Sequence, residues 1–309
     1  MLMAALNVIK ARLVARGFTQ QEGIDYSETF SPVIKQATVR LVFSIAISCN
    51  WKIHQLNIHN AFLNGVLTKE VYMKQPPGFV DPTLPSHVCR LHKSLYGLKQ
   101  APRAWYTRLS DFLLSIGFLA SKVDTSLFIL SDGTNIFYLL VYVDDILLTG
   151  SNSAMLHRLI QLLSSEFKLR DLGVVHYFLG IEVQSTGMGL MLRQHKYILN
   201  ILTRAGMTSC KPIDTLVSPF KLGIQLDHPF SNPTRFRQIV GALQYLTFTR
   251  PDICLLLTDS ISSYMLLQIP IGLSLNAFSA TLKERHPMVF ISLEVPLLLY
   301  MVLQMQIGL

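Results

Sequence analysis

Charge is scarce in this chain, and negative charge most of all: 15% of the 309 residues are ionised, with 19 acids against 27 Lys and Arg. Cysteine is scarce too. Cys49, Cys89, Cys210 and Cys254 stand far apart, give no paired metal-ligand spacing, and read as reduced residues of an intracellular, cytoplasmic protein. Long hydrophobic runs are also wanting. Met1 to Ile9 is too short for a signal peptide and lacks its charged start and cleavage site. The apolar run around 136–148 is broken by two acids and is too short to cross a bilayer, and Val289 to Leu309 carries Glu294, Pro296, Gln304 and Gln306. No membrane association is expected. What remains is a chain that is half apolar, easily able to bury a core, with a net charge of +8. Residues 1–252 hold 25 bases and 16 acids, whereas 253–309 hold 2 and 3, so the positive excess lies wholly in the first part, as on a surface that meets phosphate backbones.

The most informative stretch is Asn135 to Gly150. β-favouring residues run from Ile136 to Val143 and resume at Ile146 to Leu148, which puts Asp144 and Asp145 at the tip of a hairpin. A bare Asp-Asp pair is common in turns. Two acids beside buried strands, however, repel one another unless a cation neutralises them, and a divalent metal would do so.

Elsewhere the periodicities are plain. Lys10 to Gly17 alternates cations with apolar residues, as a half-buried strand with one basic face does. Gln36 to Cys49 has helical spacing and closes at Asn50. Ile53, Leu56 and Ile58 suggest a strand, followed by a helical turn near Ala61 and a stop at Gly65, and Glu70 to Phe79 continues as a strand. Arg90 to Tyr106 interleaves bases with Tyr96, Trp105 and Tyr106, a composition suited to a nucleic-acid strand. Trp105 also heads the helical series Leu109, Phe112, Leu113 and Ile116, so it is equally a core residue. Further helices are expected at 156–163, 197–202 and 235–249, with a turn and strand at 167–183, a short strand at 190–193 and a loop at 211–233.

Tyr142-Val143-Asp144-Asp145 between two strands resembles the catalytic motif of reverse transcriptases. Trp51 to Gly65 is similar to their first catalytic motif, in which a metal-binding aspartate precedes an aromatic by five positions; here Asn57 stands where the aspartate would be, and Phe62 is the aromatic. Ser94 to Tyr106 closely resembles a signature of copia-type retrotransposons, and Phe167 to Val183 also looks like that family.

The resemblance, over about Lys10 to Asp252, implies an α+β fold: a right-hand palm with an antiparallel sheet flanked by helices (51–193), a fingers remnant (10–50) and a partial helical thumb or connection (194–252). It implies RNA-directed DNA synthesis on an RNA or DNA template-primer with dNTP as substrate, and in active relatives a virus-like particle. Two magnesium ions, with manganese as an alternative, would be held by Asp144, Asp145 and position 57, the last bridging both with Asp144. It further implies Phe62 for sugar discrimination, Gln100 for the nucleotide-facing wall, and Lys10, Arg12 and Arg16 for the triphosphate. Lys99, Arg103, Tyr142, Arg235 and Arg237 are the expected nucleic-acid contacts, although for the last two a solvated helix face is an equal account. Asn57 brings no negative charge, so nucleotide addition is expected to be lost or very slow, leaving as the alternative a non-catalytic nucleic-acid-binding relic or an unstable product. No protein partner follows from the sequence. Residues 1–9 and 253–309 depart from the family, the latter as a change of reading frame near Asp252 would produce, and family sequence expected before Lys10 is missing.

Overall fold

The computed structural model describes residues 12–187, 189–206, 208–209, 233–250, 253–254 and 289–292. The expectations for Lys10, the 211–232 loop and nearly all of 253–309 lie outside them. Helices and antiparallel sheets are mixed throughout. The described residues fall into two compact units, one of 12–42 with 51–174, the other of 43–50 with the residues from 175 onward.

In chain order the elements are α1 (Gln36–Ser48), β1 (Ile53–Ile58), a 3-10 turn (Ala61–Asn64), β2 (Val66–Lys74), β3 (Val88–Lys93), α2 (Ala101–Ser115), β4 (Leu119–Ala120), β5 (Leu127–Ser131), β6 (Ile136–Tyr142), β7 (Asp145–Gly150), α3 (Ser153–Glu166), β8 (Leu169–Val174), β9 (Tyr177–Phe178), β10 (Ile181–Thr186), β11 (Gly189–Arg193), α4 (His195–Ala205), α5 (Pro233–Leu246) and β12 (Val289–Ser292). Asn50 closes α1 and Gly206 closes α4, both in left-handed conformations that Asn and Gly tolerate. The segment expected as a strand over 10–17 has one bridge, Val14 to Tyr96, and then a 3-10 turn at Gly17–Thr19. Its alternation reflects two buried residues, Ala15 and Gly17, on either side of the exposed Arg16. The 167–183 stretch, expected as a turn and one strand, forms β8, β9 and the start of β10.

The first unit is built on a six-stranded antiparallel sheet in the order β4-β5-β6-β7-β1-β8. β1 lies inside it, paired with β7 on one side and β8 on the other. Period-two alternation sends Leu56 and Ile58 of β1, Phe137, Leu139 and Val141 of β6, and Ile146 and Leu148 of β7 into one core with Trp105, Leu109 and Leu113 of α2 and Leu156, Leu159, Ile160 and Leu163 of α3. Each such side chain contributes about 2 kcal/mol by leaving water. β2 and β3 form a separate two-stranded ribbon. In the second unit β12, β11, β10 and β9 make an antiparallel sheet, and α4 packs on α5 through Ile198, Ile201, Leu202, Leu243 and Leu246.

Candidate functional site

The hairpin of β6 and β7 pairs Tyr142 with Asp145, leaving Val143 and Asp144 as a two-residue loop. Val143 has φ +55° and no positive φ follows it, the pattern of a type II′ turn, where glycine is the favoured first residue. A β-branched side chain there costs about 1–3 kcal/mol and persists only where its surroundings enforce it. Two donors engage the turn's carbonyls: the Trp105 indole donates to Val143 O at 2.7 Å, and Ile58 N donates to Asp144 O at 2.8 Å.

β1 brings the third group. Asn57 lies across from Asp145 in the β1–β7 register, and its Nδ2 donates to Asp145 Oδ1 at 3.0 Å and Asp144 Oδ2 at 3.5 Å. Ionised carboxylates only accept, so the amide turns its N–H groups toward them. Burial pushes the Asp145 carboxyl above its ordinary value. The hydrogen bond from Asn57 opposes this and the charge of Asp144 reinforces it. Magnesium takes hard oxygen ligands. Two carboxylates here meet that need, while the third position presents a neutral donor, and among the described residues no group of three or more His, Cys, Asp or Glu is gathered as a metal site. The residues present therefore do not fit a pair of dications.

Phe62, in the 3-10 turn after β1, sits edge-on to Tyr96 with centroids 5.1 Å apart, and the Arg12 guanidinium lies 5.0 Å from the Tyr96 ring on its own account. Ser94 Oγ donates to Phe62 O, which fixes the turn's backbone. Arg16 is exposed, and Tyr142 is at the margin of exposure. Gln100, expected on a nucleotide-facing wall, is largely buried and lines a cleft together with Arg103, with its amide accepting from Gln20 Nε2 at 3.0 Å and donating to Asp25 O at 3.2 Å. Sequence reasoning had no signal for this, since the partners lie 75 and 80 residues away.

The same loop occupies the neighbouring bases. Lys99 Nζ reaches the Tyr26 hydroxyl at 3.2 Å with its charge 5.0 Å from that ring's centre, and Arg103 pairs with Glu28 at 3.3 Å. Beside them a cleft of about 350 Å³ is lined by Lys69, Arg103 and Arg108 together with Asp25, Glu28 and Asp111. In the second unit Arg235 and Arg237 are exposed on α5, and Arg235 Nη2 donates to Arg204 O at 3.0 Å. Trp105, open to two readings in the sequence, is a core residue, 1% exposed.

Residues 5–219 match the family described as reverse transcriptase (RNA-dependent DNA polymerase). The chain belongs to the reverse transcriptase family. Within it, the chain is 53% identical over 250 residues to the retrovirus-related Pol polyprotein from transposon RE1 of Arabidopsis thaliana, covering 81% of this chain and 17% of that protein. The Arabidopsis polyprotein from transposon RE2 is 50% identical over 262 residues, covering 84% and 18%. That from transposon TNT 1-94 of Nicotiana tabacum is 39% identical over 255 residues, covering 79% and 19%. The relatives are Pol polyproteins of copia-type transposons, and the chain spans under a fifth of their length. Among the described residues of this reverse transcriptase-family chain no helix is long and apolar enough to cross a membrane.

Proposed function

We propose that the first unit carries the reaction centre of an RNA-directed DNA polymerase, and that in this chain the centre is impaired. Asp144 and Asp145 are its two remaining acids, and Asn57 stands at the position of the lost third. In a competent centre Asp144, Asp145 and an acid at position 57 would hold the magnesium or manganese whose charge would activate a primer hydroxyl and stabilise the leaving pyrophosphate. Residues 51–193 correspond in this reading to the palm, 10–50 to a fingers remnant and 194–252 to a thumb or connection, with 253–309 following a change of frame. Phe62, backed by Tyr96, would exclude the ribose 2′-hydroxyl of a ribonucleotide. Arg12, Arg16, Lys10, Tyr142, Lys99, Arg103, Arg235 and Arg237 would meet phosphates or the template-primer, Lys99 and Arg103 only after the loop at 20–28 releases them.

The observation that carries the reading is the convergence of Asn57 on both acids, although 87 and 88 residues separate it from them. One missing charge beside each ion weakens metal binding on the order of a few kcal/mol. Primer extension by this chain and by an Asn57→Asp version, with magnesium and with manganese, tests it. Extension is expected to be absent or very slow in the first and restored in the second. Ready extension by the unaltered chain contradicts the impairment. Tight template binding without extension in either version favours a nucleic-acid-binding relic, which the positive excess of residues 1–252 also supports.

A further inference from the structure

The Tyr142–Asp145 turn adopts a conformation that its own sequence disfavours, so something outside the hairpin must hold it. Val143 carries a positive φ on a β-branched side chain, and its carbonyl receives the indole N–H of Trp105 from α2 at 2.7 Å. That indole is almost wholly buried and cannot be exchanged for water. Its ring is edge-on to Phe167 at 5.2 Å, and Phe167 in turn meets Phe112 at 5.4 Å, so the donor has little freedom to turn away. The backbone that carries the ring is closely approached as well: a Cβ on Gly65 would lie 2.8 Å from the backbone N of Trp105 and 2.9 Å from the backbone C of Ala104, so the chain after the 3-10 turn runs tightly against the helix.

We propose that Trp105 is a positioning residue for the acidic turn: through Val143 O its indole holds the left-handed backbone that sets Asp144 and Asp145 side by side against residue 57. The functional half of this rests on the polymerase reading above; the structural half does not. Apolar packing alone needs no donor at this place, and a leucine or phenylalanine would fill the core. A buried N–H aimed at the one strained carbonyl of the hairpin does more than fill space. Without it, Val143 O loses that donor and Val143 is freed to return to an ordinary φ, which moves the following carboxylates.

Trp105→Phe removes the donor and keeps an aromatic ring, and Leu109→Ala, one helical turn further on, damages the same core without touching the turn. Hydrogen exchange read by NMR is the first measurement. The chain has two tryptophans, so Trp105→Phe also assigns the indole signal. The expected result is a protected Trp105 indole proton, and in Trp105→Phe an increase in exchange on the order of tenfold at the amide of Asp145, which closes the turn opposite Tyr142, that exceeds the increase at Leu139 and Leu148. Leu109→Ala should raise all three together. The same uniform rise in Trp105→Phe would overturn the proposal.

If Trp105→Phe does not fold, the unaltered chain in mild denaturant still decides. The Trp105 indole and the Asp145 amide should then open together in one event, and separate opening overturns the proposal. Manganese binding by the Asn57→Asp chain, followed by electron paramagnetic resonance, addresses function. Adding Trp105→Phe should weaken it on the order of tenfold, and Val143→Gly, which adopts the turn without support, should shrink that loss. Failure of the Asn57→Asp parent to bind manganese, with the Asp145 amide still loosened, sinks the metal reading and leaves the positioning role intact. Binding that is indifferent to Trp105→Phe sinks the positioning role.

Discussion

Asn57 and Asp145 face one another across the β1–β7 pairing, and the amide of one lies 3.0 Å from the carboxylate of the other. The amide acts as an internal substitute for a cation, since it satisfies both acids with N–H groups. Replacing it by Asp puts three carboxylates together without a counter-charge. In a chelator, Asn57→Asp is expected to unfold about 1–3 kcal/mol more easily. Millimolar manganese should restore that loss and leave the unaltered chain almost unmoved. Thermal melts of both chains, with chelator and with metal, check this.

Asp124 gives a pH dependence. Burial pushes its carboxyl up, but hydrogen bonds from Ser126 and Thr38 and from the Lys35 and Ser126 backbone outweigh this and hold it below the ordinary value. A depressed carboxylate stabilises above its unfolded value, about 3.9, and that stability is lost as pH falls through the lower folded value. Asp124→Ala should cost about 2–3 kcal/mol at neutral pH by stranding buried donors. The gap to the unaltered chain should narrow below about pH 4 in denaturant titrations.

Gly97 and Gly17 tolerate no side chain. A Cβ on Gly97, already at φ +91°, would come within 2.1 Å of Ala15 O, and one on Gly17 within 1.9 Å of Gly97 O. Gly97→Ala is expected to detach the 12–19 segment rather than unfold the sheet, because that segment is joined beside Gly97 by the Val14–Tyr96 bridge and the packing of Ala15 against Val71, Leu98 and Ala101, outside the six-stranded sheet. Limited trypsin digestion should then cut rapidly after Arg12 and Arg16 while the fragment from Gln36 onward resists.

Glu28 competes with phosphate for Arg103. Their ion pair is exposed and worth about 0–1 kcal/mol, so Glu28→Gln should leave the melting temperature nearly unchanged. Affinity for a labelled oligonucleotide should rise, and its dependence on salt should steepen by about one charge if Arg103 meets the backbone. Fluorescence anisotropy at several salt concentrations reads both.

The sequence announced the hairpin and the strand that meets it because each carries a local pattern: alternation in β1, dense β-formers in β6 and β7, and acids where a turn must be. It also singled out Asn57, which the structure places beside both acids. Gln100 and Trp105 were not legible. Each is fixed by a partner far along the chain, Gln20 for one and Val143 for the other, and an amide or an indole reads the same whether it faces a ligand or a carbonyl. β3, β4 and β5 were missed as well. β3 is an exposed ribbon strand with one charged side chain in three, and β4 has two residues, too few to show a period.

The place of β1 between β7 and β8 has a consequence for synthesis on the ribosome. Neither neighbour of the 53–58 segment exists until residues 145–150 and 169–174 have emerged, so a hydrophobic ribbon waits unpartnered while more than half of the first unit is still being made. The convergence of residue 57 with the acids is thus among the last events of that unit's birth, and a chain halted before Val174 would carry every group of the centre with one flank of its middle strand left open to stray pairing.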